Sequence, residues 1–250
     1  MDERLMKAML EVDEHHWWYR GRREIIRAEL DGLSLARGSL VLDAGCGSGR
    51  TLDELQRYGE VYGIELDPQA AQAARDRGVG EVEIGRLERL PWPAQTFDLI
   101  TCLDVIEHTP DDRATLSELR RVCTPGGWLL VTVPAYEWLW SLHDEANHHY
   151  RRYTRATLRR AALAAGWRIE RMTSFNSLLL APAAIVRLAE RNRHPHDGYT
   201  PQIRLGSPWL NALLEQPLRL EAGWLARGRT LPAGLSLLAL MRNSGGEPAS

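Results

Sequence analysis

Cysteine is scarce in this 250-residue chain: Cys46, Cys102 and Cys123 are odd in number and none belongs to a CxxC pair. That argues against a disulfide framework and a zinc site, and it fits a reducing, cytoplasmic compartment. Long apolar runs are missing too. The longest stretches without a charged or His side chain, Val122 to Tyr136 and Met172 to Val186, are about fifteen residues, short of the roughly twenty that span a bilayer. The N-terminus places Asp2, Glu3, Arg4 and Lys7 ahead of any apolar run, which is not the order of a signal peptide. Net charge is small as well. Lys and Arg number 31 against 33 Asp and Glu, leaving −2, so no global positive field draws the protein to nucleic acid or to an anionic membrane. Nucleic-acid binding would need a local patch, and none is expected. A content of 44% hydrophobic and 26% charged residues is that of a folded globular chain, which excludes disorder and fibres.

What is present is an alternation of short apolar runs with segments of helical period between Ser39 and Val133, the pattern of a parallel sheet covered by helices. Strands are predicted at 39–44, 60–66, 81–84, 97–103 and 128–133, the last preceded by a turn at Pro125-Gly126-Gly127. Helices are predicted from Arg50 to Gly59, with Gly59 in the left-handed position that ends a helix, from Pro68 to Gly78 with Asp67 as its cap, and from Asp112 to Cys123. A capped helix from Thr154 to Gly166 leads to a sixth strand at 167–175, and 234–242 reads as a seventh. Two segments stand outside the rhythm. One is the N-terminal stretch, helical by the spacing of Leu5, Met9 and Val12; the other is the connection from Asn176 to Pro232. Within that connection the apolar run from Leu178 to Ala189 reads first as a core helix, then as a dimer face, then as a patch in peripheral contact with a membrane.

VLDAGCGSG (41–49) runs a strand into a turn with glycine at every second position, Gly45, Gly47 and Gly49. At the carboxyl edge of a parallel sheet such a turn lets backbone approach a ligand. A dinucleotide-type GxGxxG would need a further glycine where Arg50 stands, and Asp43 precedes the glycines rather than following them. Glu65, ending the second strand, can accept bonds from both hydroxyls of a ribose. Together with GRLERLPW (85–92), FDLITCLDVIEH (97–108) and TPGGWLLVTVP (124–134), these motifs resemble class I S-adenosylmethionine-dependent methyltransferases from Ser39 to Pro134.

That resemblance implies a doubly wound α/β fold with a mostly parallel seven-stranded sheet and one domain. Its parts would be a helical cap (1–36), a cofactor-binding core (37–175), a substrate-side insert (176–232) and the last strand (233–243). It implies S-adenosylmethionine as cofactor, with the loop of Asp43, Ala44, Gly45, Cys46, Gly47 and Gly49 against its methionine and ribose parts. Glu65 would meet the ribose, Leu66 and Leu87 the adenine, and Leu103 the methionine. Arg86 stands where many relatives carry an Asp that accepts from the adenine amino group, leaving that contact to backbone or Glu88.

A narrower resemblance joins HHWWYRGRR (15–23), WSLHDEANHHYRRYTRATL (140–158) and LPAGLSLLALMR (231–242) to a bacterial branch with an HxRRY motif, here His149 to Tyr153. The branch implies a small-molecule, saccharide or lipid-linked acceptor, with Trp18, Tyr19, Arg23, His143, Arg152 and Tyr153 on the substrate side. The stripe Arg151, Arg155 and Arg159 makes Arg152 or Arg155 a candidate for an anionic group on the acceptor. His143, His148, His149 and Asp144 are too poorly spaced to be read as a metal site, and no metal is expected. If the acceptor atom is oxygen, His108 or His149 is the candidate general base, with His108 preferred because the sheet holds it. Two other readings remain open: a catalytically silent cofactor-binding subunit, and an NAD-dependent oxidoreductase on a similar sheet. A homodimer is compatible with either enzyme reading.

Overall fold

The computed structural model describes residues 12–190 and 207–245. In chain order the elements are α1 (Trp17–Leu30), β1 (Leu40–Ala44), α2 (Arg50–Leu55), β2 (Glu60–Glu65), α3 (Pro68–Asp76), β3 (Glu81–Ile84), β4 (Phe97–Leu103), α4 (Asp112–Val122), β5 (Cys123–Pro134), α5 (Leu142–Ala146), α6 (Arg155–Ala164), β6 (Arg168–Phe175), α7 (Leu180–Glu190), α8 (Pro208–Leu225) and β7 (Ser236–Arg242). The strands form one seven-stranded sheet in the order β3-β2-β1-β4-β5-β7-β6. Pairs β1 with β2, β1 with β4, β2 with β3 and β4 with β5 are parallel. The β5–β7 ladder is antiparallel: Gly126 bonds Asn243 at one end and Ala135 bonds Leu235 at the other. The doubly wound, mostly parallel sheet expected from the sequence is therefore present.

Contacts divide the chain into two compact units. Of the described residues, the first comprises Leu33–Thr132, Arg155–Met172 and those from Leu238 on; the second comprises those up to Gly32, Val133–Thr154 and those between Thr173 and Leu237. In the first unit β1 and β4 are buried almost throughout, as continuous apolar runs covered on both faces must be. α3 begins at Pro68 because the Asp67 side chain accepts from the amides of Gln69 and Ala70, and its Ala71 and Ala74 face inward. In the second unit α1 starts at an unusual cap, His16, whose ring accepts from the amide of Trp18. α1 lies so close to α8 that a Cβ on Gly21 would stand 2.4 Å from Leu218 Cδ1.

Several local expectations are corrected. α2 ends at Leu55, and Gly59 is not left-handed. Glycine is required there because a Cβ would fall 2.0 Å from the Ser39 carbonyl oxygen. Pro125-Gly126-Gly127 lies inside β5 rather than ahead of it, because the Gly126 amide, at φ +80°, is drawn into the ladder by the carbonyl of Asn243. The foremost reading of 178–189 as a core helix fails: α7 forms, yet none of its described side chains is buried. Leu5 and Met9 lie outside the described residues, while Val12 to His15 are helical. Among the described residues no helix is long and apolar enough to cross a membrane.

Candidate functional site

The first unit carries an open cleft of about 340 Å³ where β1, β2 and β4 end. That size lies at the lower end of the roughly 300–1,000 Å³ typical of small-molecule sites. Of the residues singled out in the sequence, Gly45, Glu65, Leu66, Leu87, Leu103 and His108 line it. Asp43, Ala44, Cys46, Gly47 and Gly49 belong to the same loop but do not form its wall. Arg86 and Glu88 stand in the wall beside Leu87.

Backbone geometry dictates the loop. Gly45, Gly47 and Gly49 all have positive φ, +84°, +55° and +79°. At Gly45 a Cβ would also collide with Val105 Cγ2 at 2.5 Å, whereas at Gly47 it would meet nothing within 4 Å. Gly45 is thus closed by the protein's own packing, and Gly47 faces open space that a ligand can use.

Glu65 ties this loop to the end of β2. Its Oε2 accepts from the Gly47 amide at 2.9 Å, and its Oε1 accepts from the amides of Leu66 and Asp67 at 2.8 and 2.9 Å. A carboxylate has about four acceptor sites, so three amides leave capacity for roughly one further donor. Asp43, buried at the end of β1, accepts from Thr101 Oγ1 at 2.7 Å across the β1–β4 pair. Burial, with the carboxylates of Asp43 and Glu65 adding to it, pushes the Cys46 thiol well up, so it stays protonated and supplies no nucleophile.

His108 ends a 3₁₀ turn, Ile106–His108, directly beyond β4 and is exposed in the cleft. Its backbone amide donates to Val105 at 2.9 Å. Sequence reasoning missed Asp104 in the same wall, a non-glycine residue at φ +57°. The available signal was an acid placed directly after the apolar strand FDLITCL.

The HxRRY segment lies in the second unit and is organised around Asp144, which is fully buried. Arg152 donates to it twice, Nε to Oδ1 at 2.8 Å and Nη2 to Oδ2 at 2.9 Å. Ser141 adds its amide at 2.9 Å and its hydroxyl at 3.2 Å. His149 Nδ1 lies 2.9 Å from Oδ1. Burial alone would raise this carboxyl, but the bonds from His149 and Arg152 outweigh it and hold Asp144 well below the usual range. Arg152, expected at an anion on the acceptor, is instead buried against Asp144 and the Ala135 carbonyl. Tyr153 is buried too, its backbone bonded to Pro134 and Tyr136.

His143 packs edge-on against His149 at 6.4 Å. Burial, reinforced by the Arg187 charge, lowers it to about 4. Trp18 stacks on Phe175 at 6.0 Å, and Tyr19 carries the Arg22 guanidinium 5.7 Å over its ring. Arg23 is buried, donating to the Asp13 carbonyl at 2.9 Å.

Residues 42–131 match the family described as methyltransferase domain. A protein of Paracidovorax citrulli named ubiquinone biosynthesis O-methyltransferase is 33% identical over 136 residues, 47% of this chain and 56% of that one. One of the same name from Thiobacillus denitrificans is 27% identical over 187 residues, 64% of this chain and 81% of that protein. This chain therefore spans little more than half the length of the first of these relatives. Among solved structures, an S-adenosylmethionine-dependent methyltransferase of Mesorhizobium loti superposes with a TM-score of 0.57 at 17% identity, covering 92% of this chain and 99% of that one.

Proposed function

We propose that this chain, whose residues 42–131 match a methyltransferase domain, is a class I S-adenosylmethionine-dependent enzyme that transfers a methyl group to oxygen on a small-molecule, saccharide or lipid-linked acceptor. The observation that carries the reading is Glu65, held at the end of β2 with acceptor capacity to spare beside the open space at Gly47. These residues fit the cofactor: an ionised acceptor for a ribose hydroxyl, the apolar Leu66, Leu87 and Leu103 for the adenine and methionine parts, and backbone that admits close approach. When bound, S-adenosylmethionine supplies an electrophilic methyl on a cationic sulfur. The protein's part is to align the acceptor in line with that methyl and to exclude water.

The acceptor hydroxyl must lose a proton as its oxygen gains the methyl, and His108 in the cleft wall is the residue assigned to take it. His149 is the alternative, because Asp144 accepts at its Nδ1 and so favours the tautomer with Nε2 as base. Acceptor recognition falls to the segments that follow the carboxyl ends of β5 and β6, residues 135–153 and 176–232. The O-methyltransferase names of the relatives favour oxygen as the acceptor atom.

Calorimetry and turnover, measured on one preparation, test the reading. One site for S-adenosylmethionine and none for NAD, with demethylated cofactor accumulating when a cell extract is added, supports it. Binding without turnover would make the chain a silent cofactor-binding subunit, and binding of NAD instead would make it an oxidoreductase.

A further inference from the structure

Helix α8 has two apolar faces, one buried at Leu218, Ala222 and Leu225 and one exposed. Its two acids, Glu215 and Glu221, are buried, while Trp209, Leu213, Leu220 and Trp224 are 68%, 59%, 70% and 41% exposed. A buried carboxylate is tolerated only with partners, and both have them. Glu215 pairs with Arg20 at 3.1 Å and with Arg219 at 2.8 Å. Glu221 accepts from the amides of Asn176, Ser177 and Leu178 at 2.6, 2.8 and 3.2 Å. These bonds, with the burial of Leu218 and Leu225, fix which side of the helix faces the protein, and the second apolar side is presented outward.

The outward residues recur at intervals of four, seven and four, which puts them on one face, about 22 Å long from Trp209 to Trp224. On α7 Ile185 and Val186 are exposed as well. Scattered apolar residues on a surface need no explanation, but an ordered stripe closed by tryptophan at both ends does. From Ser207 to Leu231 the exposed charges are Arg219, Arg227 and Arg229, and the two acids of that stretch are the buried ones. The Arg229 guanidinium lies 4.3 Å over the Trp224 ring.

We infer that this face of α8 rests in the plane of an anionic lipid surface. An apolar stripe takes the acyl boundary, tryptophan suits the headgroup level, and arginines at the rim meet lipid phosphates. A second copy of the chain fits poorly. A two-fold contact over this stripe would bring the same arginines toward one another, and within the stretch there is no exposed acid to receive them. Spanning is excluded for α8, because its inner face carries Glu215 and Glu221.

The test is cosedimentation of the full chain with large vesicles, without cofactor, so its outcome is independent of the methyltransferase reading. Vesicles of phosphatidylcholine with an equal part of phosphatidylglycerol should bind at least about tenfold more protein than phosphatidylcholine alone. Raising salt from about 0.1 to 0.5 M should weaken that binding severalfold. Trp209→Ser with Leu220→Ser should reduce it about tenfold with the thermal midpoint undiminished, and Arg227→Glu with Arg229→Glu should abolish the preference for the anionic lipid. The inference is overturned by no binding to either vesicle, or by binding that both double variants retain. It is equally overturned if sedimentation velocity shows a dimer of the wild type that the Trp209, Leu220 variant dissociates.

Discussion

Glu65→Ala removes from the cleft a carboxylate that holds three backbone amides and is assigned to the cofactor ribose, so its two consequences must be separated. The amides of Leu66 and Asp67 are in exposed surroundings, and water replaces the lost oxygen there. The bond to Gly47 is partly buried, and its loss should account for most of a stability decrease of about 1 kcal/mol. Cofactor binding should fall further. A hydrogen bond to an ionised carboxylate contributes about 1.5–3 kcal/mol, which is roughly a 10- to 150-fold weaker Kd. Glu65→Gln keeps one acceptor oxygen and the side-chain volume, so it should lie between the wild type and Glu65→Ala. Calorimetric titration with S-adenosylmethionine and with its demethylated product measures the affinity, and thermal unfolding measures the stability. If a folded Glu65→Ala protein binds with unchanged Kd, the carboxylate is a brace for the glycine loop and the assignment to the ribose is refuted.

Asp144→Ala should destabilise the second unit by about 3–5 kcal/mol in denaturant titration, because it leaves the buried Arg152 guanidinium without its counter-charge. Stability should also depend on pH through His143, which is lowered to about 4 from an ordinary value near 6.5. The unfolded chain takes up this proton first, so the contribution is complete above about pH 6.5 and is lost as pH falls toward 4; it amounts to about 3 kcal/mol, and His143→Gln should flatten that window. Asp144, held low, contributes in a separate window, lost only below the ordinary carboxylate range. His108→Ala should lower kcat by a factor on the order of 10²–10⁴ with cofactor affinity nearly unchanged, while His149→Ala should act mainly on acceptor KM; the reverse pattern would assign the base to His149.

The strands of the core were legible because each is a short apolar run closed by glycine, proline or an acid, and a strand buried on both faces needs little else. Turn chemistry was less so. Gly59 and Gly126 look like ordinary turn glycines, yet one answers to the Ser39 carbonyl and the other to Asn243, more than a hundred residues away. The glycine loop with Glu65 was readable as a site because its residues are contiguous or end a strand. Asp104 was not singled out, since an acid after an apolar run looks like a solvated strand end. The Asp144–Arg152 pair joins residues eight apart through an irregular loop, a separation that no helix or strand period marks. α8 escaped for a sharper reason: it is apolar on two faces, and only the buried partners of Glu215 and Glu221, on the side of Leu218 and Leu225, show which face is inward.

Transfer of a methyl group from S-adenosylmethionine to an acceptor oxygen is read out by mass spectrometry. Methyl-labelled S-adenosylmethionine is incubated with the full chain and a cell extract divided into polar and lipid fractions. One labelled product, heavier than its precursor by a methylene, is expected from the wild type, and at cofactor concentrations below the variant's Kd much less of it from Glu65→Ala. Cofactor consumed with no labelled product in either fraction, or a product labelled equally without the protein, would contradict it.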